Sequence, residues 1–260
     1  MNRKMIMIVL SGLLMLAAGL PTAQAADWGV GGGVAVVPDY IGSDDYEAAP
    51  LPYLTVDFDN HMNIHLVGNR IKANLIPHPI FKGGFVGEYI GERDDVDNNK
   101  VDDLEDVDAS FMMGGFLGFE YPTEEWGKWS ARVETMFDVA DGNDGQLTRV
   151  AAGWGTGFLQ TMRIGLEGFA GFGDGDFMSS YFGIDGRDSR RSGLDTYDAD
   201  SGLYEVGLKA NYTWNFTGAW NLHVIGGISQ LVGDADDDSP VVDEGSETQG
   251  VLGAMITYHF

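Results

Sequence analysis

Val251-Leu252-Gly253-Ala254-Met255-Ile256-Thr257-Tyr258-His259-Phe260 closes the sequence and decides how the rest is read. Counted back by twos, Phe260, Tyr258, Ile256, Ala254 and Leu252 make one apolar and aromatic face, and His259, Thr257, Met255, Gly253 and Val251 make a smaller or more polar one. A strand sends alternate side chains to opposite faces, and about ten residues is what a tilted strand needs to cross a bilayer. The stretch reads as a membrane-crossing strand. Tyr258 and the terminal Phe260 are the expected assembly signal, read by a barrel-assembly machinery. The competing reading is the last strand of a soluble sandwich.

Working outward, the other end carries Arg3 and Lys4, an apolar run Met5–Leu20, and Ala23-Gln24-Ala25. A basic segment, a short apolar core and a small-residue cleavage site mark a secretory signal peptide. Residues 1–25 are expected to be cleaved, leaving 26–260 as a single domain. No later run is apolar enough for a transmembrane helix. A membrane-spanning chain must then be a closed barrel, because lipid leaves no backbone group unpaired. The chain holds 38 Gly and no Cys, and its formal charge is −25. Glycine at that level suits short strands and tight turns. The missing cysteine excludes disulfides and thiolate metal sites, and the acidity argues against nucleic acid as a partner.

Period-two alternation predicts about twelve strands, near 27–38, 48–58, 61–67, 70–76, 82–91, 107–121, 128–139, 148–157, 161–173, 202–214, 219–231 and 249–260. Pattern alone does not say which face is inside. Loop length breaks the tie. The odd connections, Pro38–Tyr46, Glu92–Asp106, Ala140–Leu147, Asp174–Ser201 and Val232–Thr248, are mostly long and acidic. The even ones, Asp59-Asn60, Pro77–Phe81, Pro122–Gly127, Phe158–Gln160 and Asn215–Gly218, are short. Gly68-Asn69 alone is odd and tight. Sorting by parity is what an outer-membrane barrel does, with short periplasmic turns and long extracellular loops, and a soluble sandwich has no reason for it. Trp126, Trp129, Trp154, Trp214, Trp220 and Tyr258 fall near strand ends, as interfacial aromatics do. The fold class expected is an all-β, antiparallel transmembrane barrel of about twelve strands with long acidic loops outside.

Several stretches then carry a family resemblance: Val36-Val37-Pro38-Asp39-Tyr40-Ile41-Gly42-Ser43-Asp44-Asp45-Tyr46, Pro50-Leu51-Pro52-Tyr53, Asp106-Val107-Asp108-Ala109 leading to Gly114-Gly115-Phe116-Leu117-Gly118, Tyr181-Phe182-Gly183-Ile184, Ser192-Gly193-Leu194, Tyr197-Asp198-Ala199, Leu231-Val232-Gly233-Asp234-Ala235 and Ser239-Pro240-Val241-Val242. Their order and spacing across nearly the whole mature chain resemble the MipA/OmpV family of outer-membrane proteins. The resemblance implies a barrel in the bacterial outer membrane, among lipid and lipopolysaccharide. It also implies a scaffold binding a lytic murein transglycosylase and a murein synthase, or a surface antigen or adhesin. It supplies no catalytic residue.

The residues themselves argue against an enzyme. None of His61, His65, His78 and His223 is followed two places on by Ser, so the His-x-Ser pair of barrel lipases is missing. The predicted loops hold no His for an omptin-type protease. Asp95–Asp103 has oxygen donors at alternate positions like a calcium loop, but Lys100 stands where that turn wants Gly; a solvated charge run is the better reading. No cofactor and no metal site are expected.

If the apolar face of each strand meets lipid, the lumen carries Lys72, Glu88, Glu120, Arg132, Glu134, Asp138, Arg149, Arg163, Glu167, Glu205 and Lys209. Mixed signs on neighbouring strands predict cross-strand ion pairs, Arg132/Glu134 beside Arg163/Glu167, with Lys72, Glu88, Glu205 and Lys209 joining them, rather than an ion-selective pore. The loop Asp174–Ser201, whose Arg187, Arg190 and Arg191 are cationic in an acidic exterior, is expected to fold inward or across the mouth and meet acidic partners. The functional expectation is a non-enzymatic scaffold for murein-remodelling enzymes, docking through the turns Pro77–Phe81, Pro122–Gly127 and Asn215–Gly218. A narrow pore or an adhesin is the alternative.

Overall fold

A computed structural model describes residues 26–236 and 238–260; the expected signal peptide lies outside the described residues. Twelve antiparallel strands close into one barrel, each bonded to its neighbours in sequence and the first to the last. They are β1 Ala26–Pro38, β2 Tyr46–Phe58, β3 Asn63–Val67, β4 Arg70–Asn74, β5 Phe81–Ile90, β6 Ser110–Thr123, β7 Gly127–Asp138, β8 Gln146–Phe158, β9 Met162–Gly173, β10 Gly202–Asn215, β11 Trp220–Leu231 and β12 Thr248–His259. Closure gives every strand two neighbours, which is how a sheet satisfies its backbone in hydrocarbon. β12, the stretch quoted first, seals the ring by pairing with β1 from Gly29↔His259 to Val36↔Leu252. Gly31 and Gly33 permit that seam, since a Cβ at either would run into the backbone carbonyls of Ile256 and Ala254.

The outward face is mostly apolar. Val34, Phe85, Leu117, Leu208 and Leu252 are each more than half exposed, although all stand in mid-strand. A water-soluble sheet would cover such a belt; a bilayer covers it here. At the end bearing the short turns, the tilted rings of Trp129 and Trp154 lie 6.5 Å apart, and Tyr258 sits edge-on to both Trp220 and Phe260 at 5.0 Å. These amphipathic rings suit a membrane interface.

Boundaries differ from the sequence reading in two informative places. β4 stops at Asn74 instead of running on to residue 76. The Asn74 amide bonds the His61 and Ile76 carbonyls and accepts from Gly83 N–H, so a side chain takes over from the ladder. β6 starts at Ser110 instead of 107, because Val107 pairs with Arg93 in a separate bridge inside the long β5–β6 loop. β3 and β4 are only five residues each, so their tight link at Gly68-Asn69 lies well below the rim. Above it β2 continues from Pro52 to Tyr46 with β1 as its only partner. Pro50 and Pro52 occupy that stretch, and Pro52 offers its carbonyl to Gly68 N–H. Proline brings no N–H to an unpaired edge, which is why it is tolerated there.

Candidate functional site: a lumen sealed at one end

The β9–β10 loop turns into the barrel. Asp174 caps a helix, Gly175–Phe182, by accepting the Phe177 N–H at 3.0 Å. Phe177, Met178, Tyr181 and Phe182 recur at helical spacing on one face, and all are buried. They pack on Met112, Met136, Leu147, Tyr204 and Leu231 from the inner wall. Tyr204 points inward through a register shift between Leu203 and Glu205, and its ring meets Phe177 at 5.1 Å. The helix is also tied to three other loops. Asn143 donates to Ser110 Oγ at 2.7 Å and to the Tyr181 hydroxyl at 3.3 Å. The Arg93 guanidinium donates to the Tyr181 carbonyl, and Ser239 to that of Phe182. This is an apolar plug held in the mouth by polar straps.

Outside the plug, a second helix, Gly186–Ser192, is capped by Asp185, whose carboxylate accepts the N–H groups of Arg187 and Asp188. Those bonds hold the Asp185 carboxyl below its ordinary range. Arg187 reaches Glu105 at 3.4 Å with both side chains exposed. Arg191 bonds Asp188 at 3.0 Å and the Asp103 carbonyl. Arg190 makes no ion pair among the described residues. Nearby, burial pushes the Tyr40 phenol up to about 12. The calcium-loop-like stretch becomes a one-turn helix, Asn99–Asp102, capped by Asn98. Its Lys100 pairs with Glu244 of the β11–β12 loop at 2.5 Å. Among the described residues no three His, Asp or Glu side chains are grouped as metal ligands.

Beneath the plug lies a belt of charge. Glu134, 1 % exposed, is reached by three arginines: Arg70 at 2.5 Å, Arg132 at 3.3 Å and Arg149 at 3.5 Å. Glu88 takes Arg70 at 2.6 Å and Arg149 at 2.9 Å. Arg132 grips Glu167 with both terminal nitrogens, the second at 2.8 Å. Three guanidiniums and three carboxylates thus bridge β4, β5, β7, β8 and β9, and the Arg132 fork holds Glu167 in the bidentate geometry that lysine lacks.

The belt corrects the sequence reading in its details. Arg163 does not pair with Glu167. It stands opposite Gly157 and Thr213 near the short-turn end, exposed. It is four residues along the strand from Glu167, about 13 Å, beyond reach. Lys72, Lys209 and Glu205 form no ion pair among the described residues either. Lys72 lies 5.4 Å over the Phe116 ring and Lys209 4.6 Å over Phe169. Arg70 was missed: it opens the strand expected over 70–76, next to the Gly68-Asn69 link, and was left out of the inner-face residues. Its parity with Lys72 was the available signal.

Toward the short turns the lumen opens. Lys209 and Asn211 face inward yet are exposed. Near the rim His223 bonds the Thr213 and Thr257 hydroxyls, both at 3.0 Å, with Tyr53 5.3 Å away. Asp57 bonds His65 at 3.0 Å. The lumen is a polar cup with an apolar lid at its far end.

A closed barrel with a lipid-facing belt and an occluded lumen is an integral outer-membrane protein. Residues 30–260 match the family described as MltA-interacting protein MipA, and the chain belongs to that family. Solved structures similar to it include an outer membrane channel from Pseudomonas putida F1, 10 % identical with a TM-score of 0.47, covering 93 % of this chain and 97 % of that one. The NanC porin is 8 % identical with a TM-score of 0.45, over 90 % and 99 %. The outer membrane channel DcaP of Acinetobacter baumannii is 12 % identical with a TM-score of 0.40, over 91 % and 96 %. No curated protein matches the chain.

Proposed function

We propose that this barrel is a non-enzymatic docking protein whose short-turn end faces the periplasm and holds a murein transglycosylase, with a murein synthase as a further partner. The name of its family supports the partner class. The orientation follows from the short turns, which outer-membrane barrels keep on their periplasmic side; β1 begins with Ala26 and β12 closes with His259 at that same rim. One observation carries the reading: the lumen is sealed by Phe177 and Phe182 at one end and accessible at the other. A barrel closed this way is not built as a conduit, and what it offers the periplasm is a rim and a cup. The turns alone are too small for an interface of about 800 Å² per partner. A partner loop entering the cup adds the inner wall to the contact.

A photo-crosslinker at Trp126 or Lys128, both exposed at the rim, tests this in cells. Capture of a murein transglycosylase at these positions, and not from Arg190 in the opposite loops, is the expected result. Capture only from the long loops would overturn it and favour the adhesin reading.

A further inference from the structure

Below the belt, the wall of the cup from β8 to β10 is lined by glycine. Sharing the inward parity of Arg149, β8 carries Gly153, Gly155 and Gly157, and Gly165 of β9 stands opposite Gly155. The fold does not demand two of these glycines. Neither Gly155 nor Gly157 has a positive φ. A Cβ would come no closer than 3.3 Å to a neighbour at the first and 3.6 Å at the second. Gly31 and Gly33 are different, because the seam leaves them no room. A strand glycine that its own packing does not require leaves space for a ligand or another backbone to come close.

Free positive charge flanks this strip. Arg163 at the rim and Lys209 further in are both exposed, and neither makes an ion pair among the described residues. Arg163 stands opposite Thr213, four residues from Lys209, so the two lie about 13 Å apart along the wall. The acids of this end are held or lie elsewhere. Arg132 grips Glu167, and Lys128 holds Glu120 at 2.9 Å. Glu124 and Glu125 belong to the turn before β7, and Asp27, Asp57 and Asp59 to β1, β2 and the turn after it, across the ring from β8. The turns Phe158–Gln160 and Asn215–Gly218, which end β8 and β10, contain no acid. A chain of formal charge −25 thus keeps an unpaired cation at each end of a glycine strip. The room suits an extended chain. At the other mouth the same ring admits a helix, a body about 10–12 Å across, and an extended chain lying on glycine needs less. Alternate side chains of such a chain point the same way, so residues four apart span about 13 Å on one face, the separation of the two cations.

We propose that this wall receives an extended acidic peptide segment, its backbone along Gly155 and Gly157 and its carboxylates on Arg163 and Lys209. The inference rests on the docking reading above and adds the chemistry of the partner: the docked enzyme enters the cup with an acidic segment. Charge-assisted hydrogen bonds to the guanidinium and the ammonium supply the recognition. The acidic exterior repels such a segment everywhere else, which directs it to this wall.

The probe is fluorescein-labelled hexaglutamate, titrated against the full barrel in phosphatidylcholine nanodiscs and read by anisotropy, with hexaglutamine carrying the same label as the neutral control. Saturable binding of hexaglutamate alone, weakened by added salt, is expected. Arg163→Gln with Lys209→Gln lowers the affinity about tenfold or more, as loss of a hydrogen bond to a charged group does, while Arg163→Lys with Lys209→Arg retains it. Gly157→Leu keeps every charge and fills the strip, and it lowers the affinity as well. Arg187→Gln with Arg190→Gln in the outer loops leaves it unchanged. Heat-modifiable migration on gels confirms that each variant is a closed barrel. No saturable binding of hexaglutamate, equal binding of hexaglutamine, or binding lost only in the outer-loop variant overturns the proposal. The docking reading fails separately. Hexaglutamate bound at this wall, with no transglycosylase captured at Trp126, sustains the acidic-segment site and overturns the enzyme as its source.

Discussion

The mouth and the middle of this lumen are closed by opposite physics. At the mouth, a helix inserts phenylalanine and methionine between wall residues of the same kind, and Phe177, Phe182, Met112 and Met136 are all fully buried. In the middle, nothing is inserted; the wall closes on itself through three arginines and three glutamates. The plug is a small hydrophobic core, tolerant in direction and stabilised by area. The belt is a desolvated charge array, favourable only while every member is present. The first can be withdrawn as a unit, since it belongs to one loop. The second cannot, because its members come from five strands.

The largest effect should come from removing the plug. Deleting Gly175–Asp200 removes the plug helix from above the belt, and single-channel recording in planar bilayers should change from little or no current to a clear one. An unchanged trace would mean that the belt and the remaining loops close the barrel without the plug helix. A large steady current from the intact protein would show that neither closure holds. Next is the belt itself. Glu134→Gln leaves three arginines around a neutral amide and should cost about 3–5 kcal/mol, the range for breaking a buried ion pair, read from denaturant unfolding in lipid vesicles. A loss below about 1 kcal/mol would show that water already screens the array.

Phe177→Ala should cost about 3 kcal/mol, the low end for a buried phenylalanine, because the helix can settle into the space. Hydrogen exchange should speed up in residues 175–182 while strand amides stay protected. Spread of the effect to β6 and β7 would mean that plug and wall unfold together. The smallest effect is the cap of the outer helix. Asp185 is held below its ordinary range, so its stabilisation is complete above about pH 4 and fades as the pH falls through its lower folded value. The Arg187 and Asp188 amide resonances should move across that window and stay still in Asp185→Asn.

Much of this was legible in the chain. Alternation placed all twelve strands, since a wall one residue thick with lipid on one side and water on the other writes its period directly into the sequence. Glu88, Arg132, Glu134 and Glu167 were assigned to the inner face by parity alone. Partnership was not legible. Arg132 and Glu167 are 35 positions apart and meet across β8, and whether Arg163 could compete depended on depth along the barrel axis, which stagger sets and alternation does not record. Arg70 shares the parity of Lys72 and stands first in its strand, beside the Gly68-Asn69 link, where alternation marks its face but gives no sign that it reaches Glu88 and Glu134 on other strands.

The sequence by itself determined that this chain crosses a membrane as a barrel, because each strand's two faces meet different solvents and every residue reports its own. The sequence also named the loop expected to fold inward, but only the tertiary structure decided how the barrel is shut, by an apolar helix with the loop's arginines outside it. The plug helix, the Tyr204 register shift and the charge belt each need residues from distant strands at one height, and height is a property of the closed ring rather than of any strand in it.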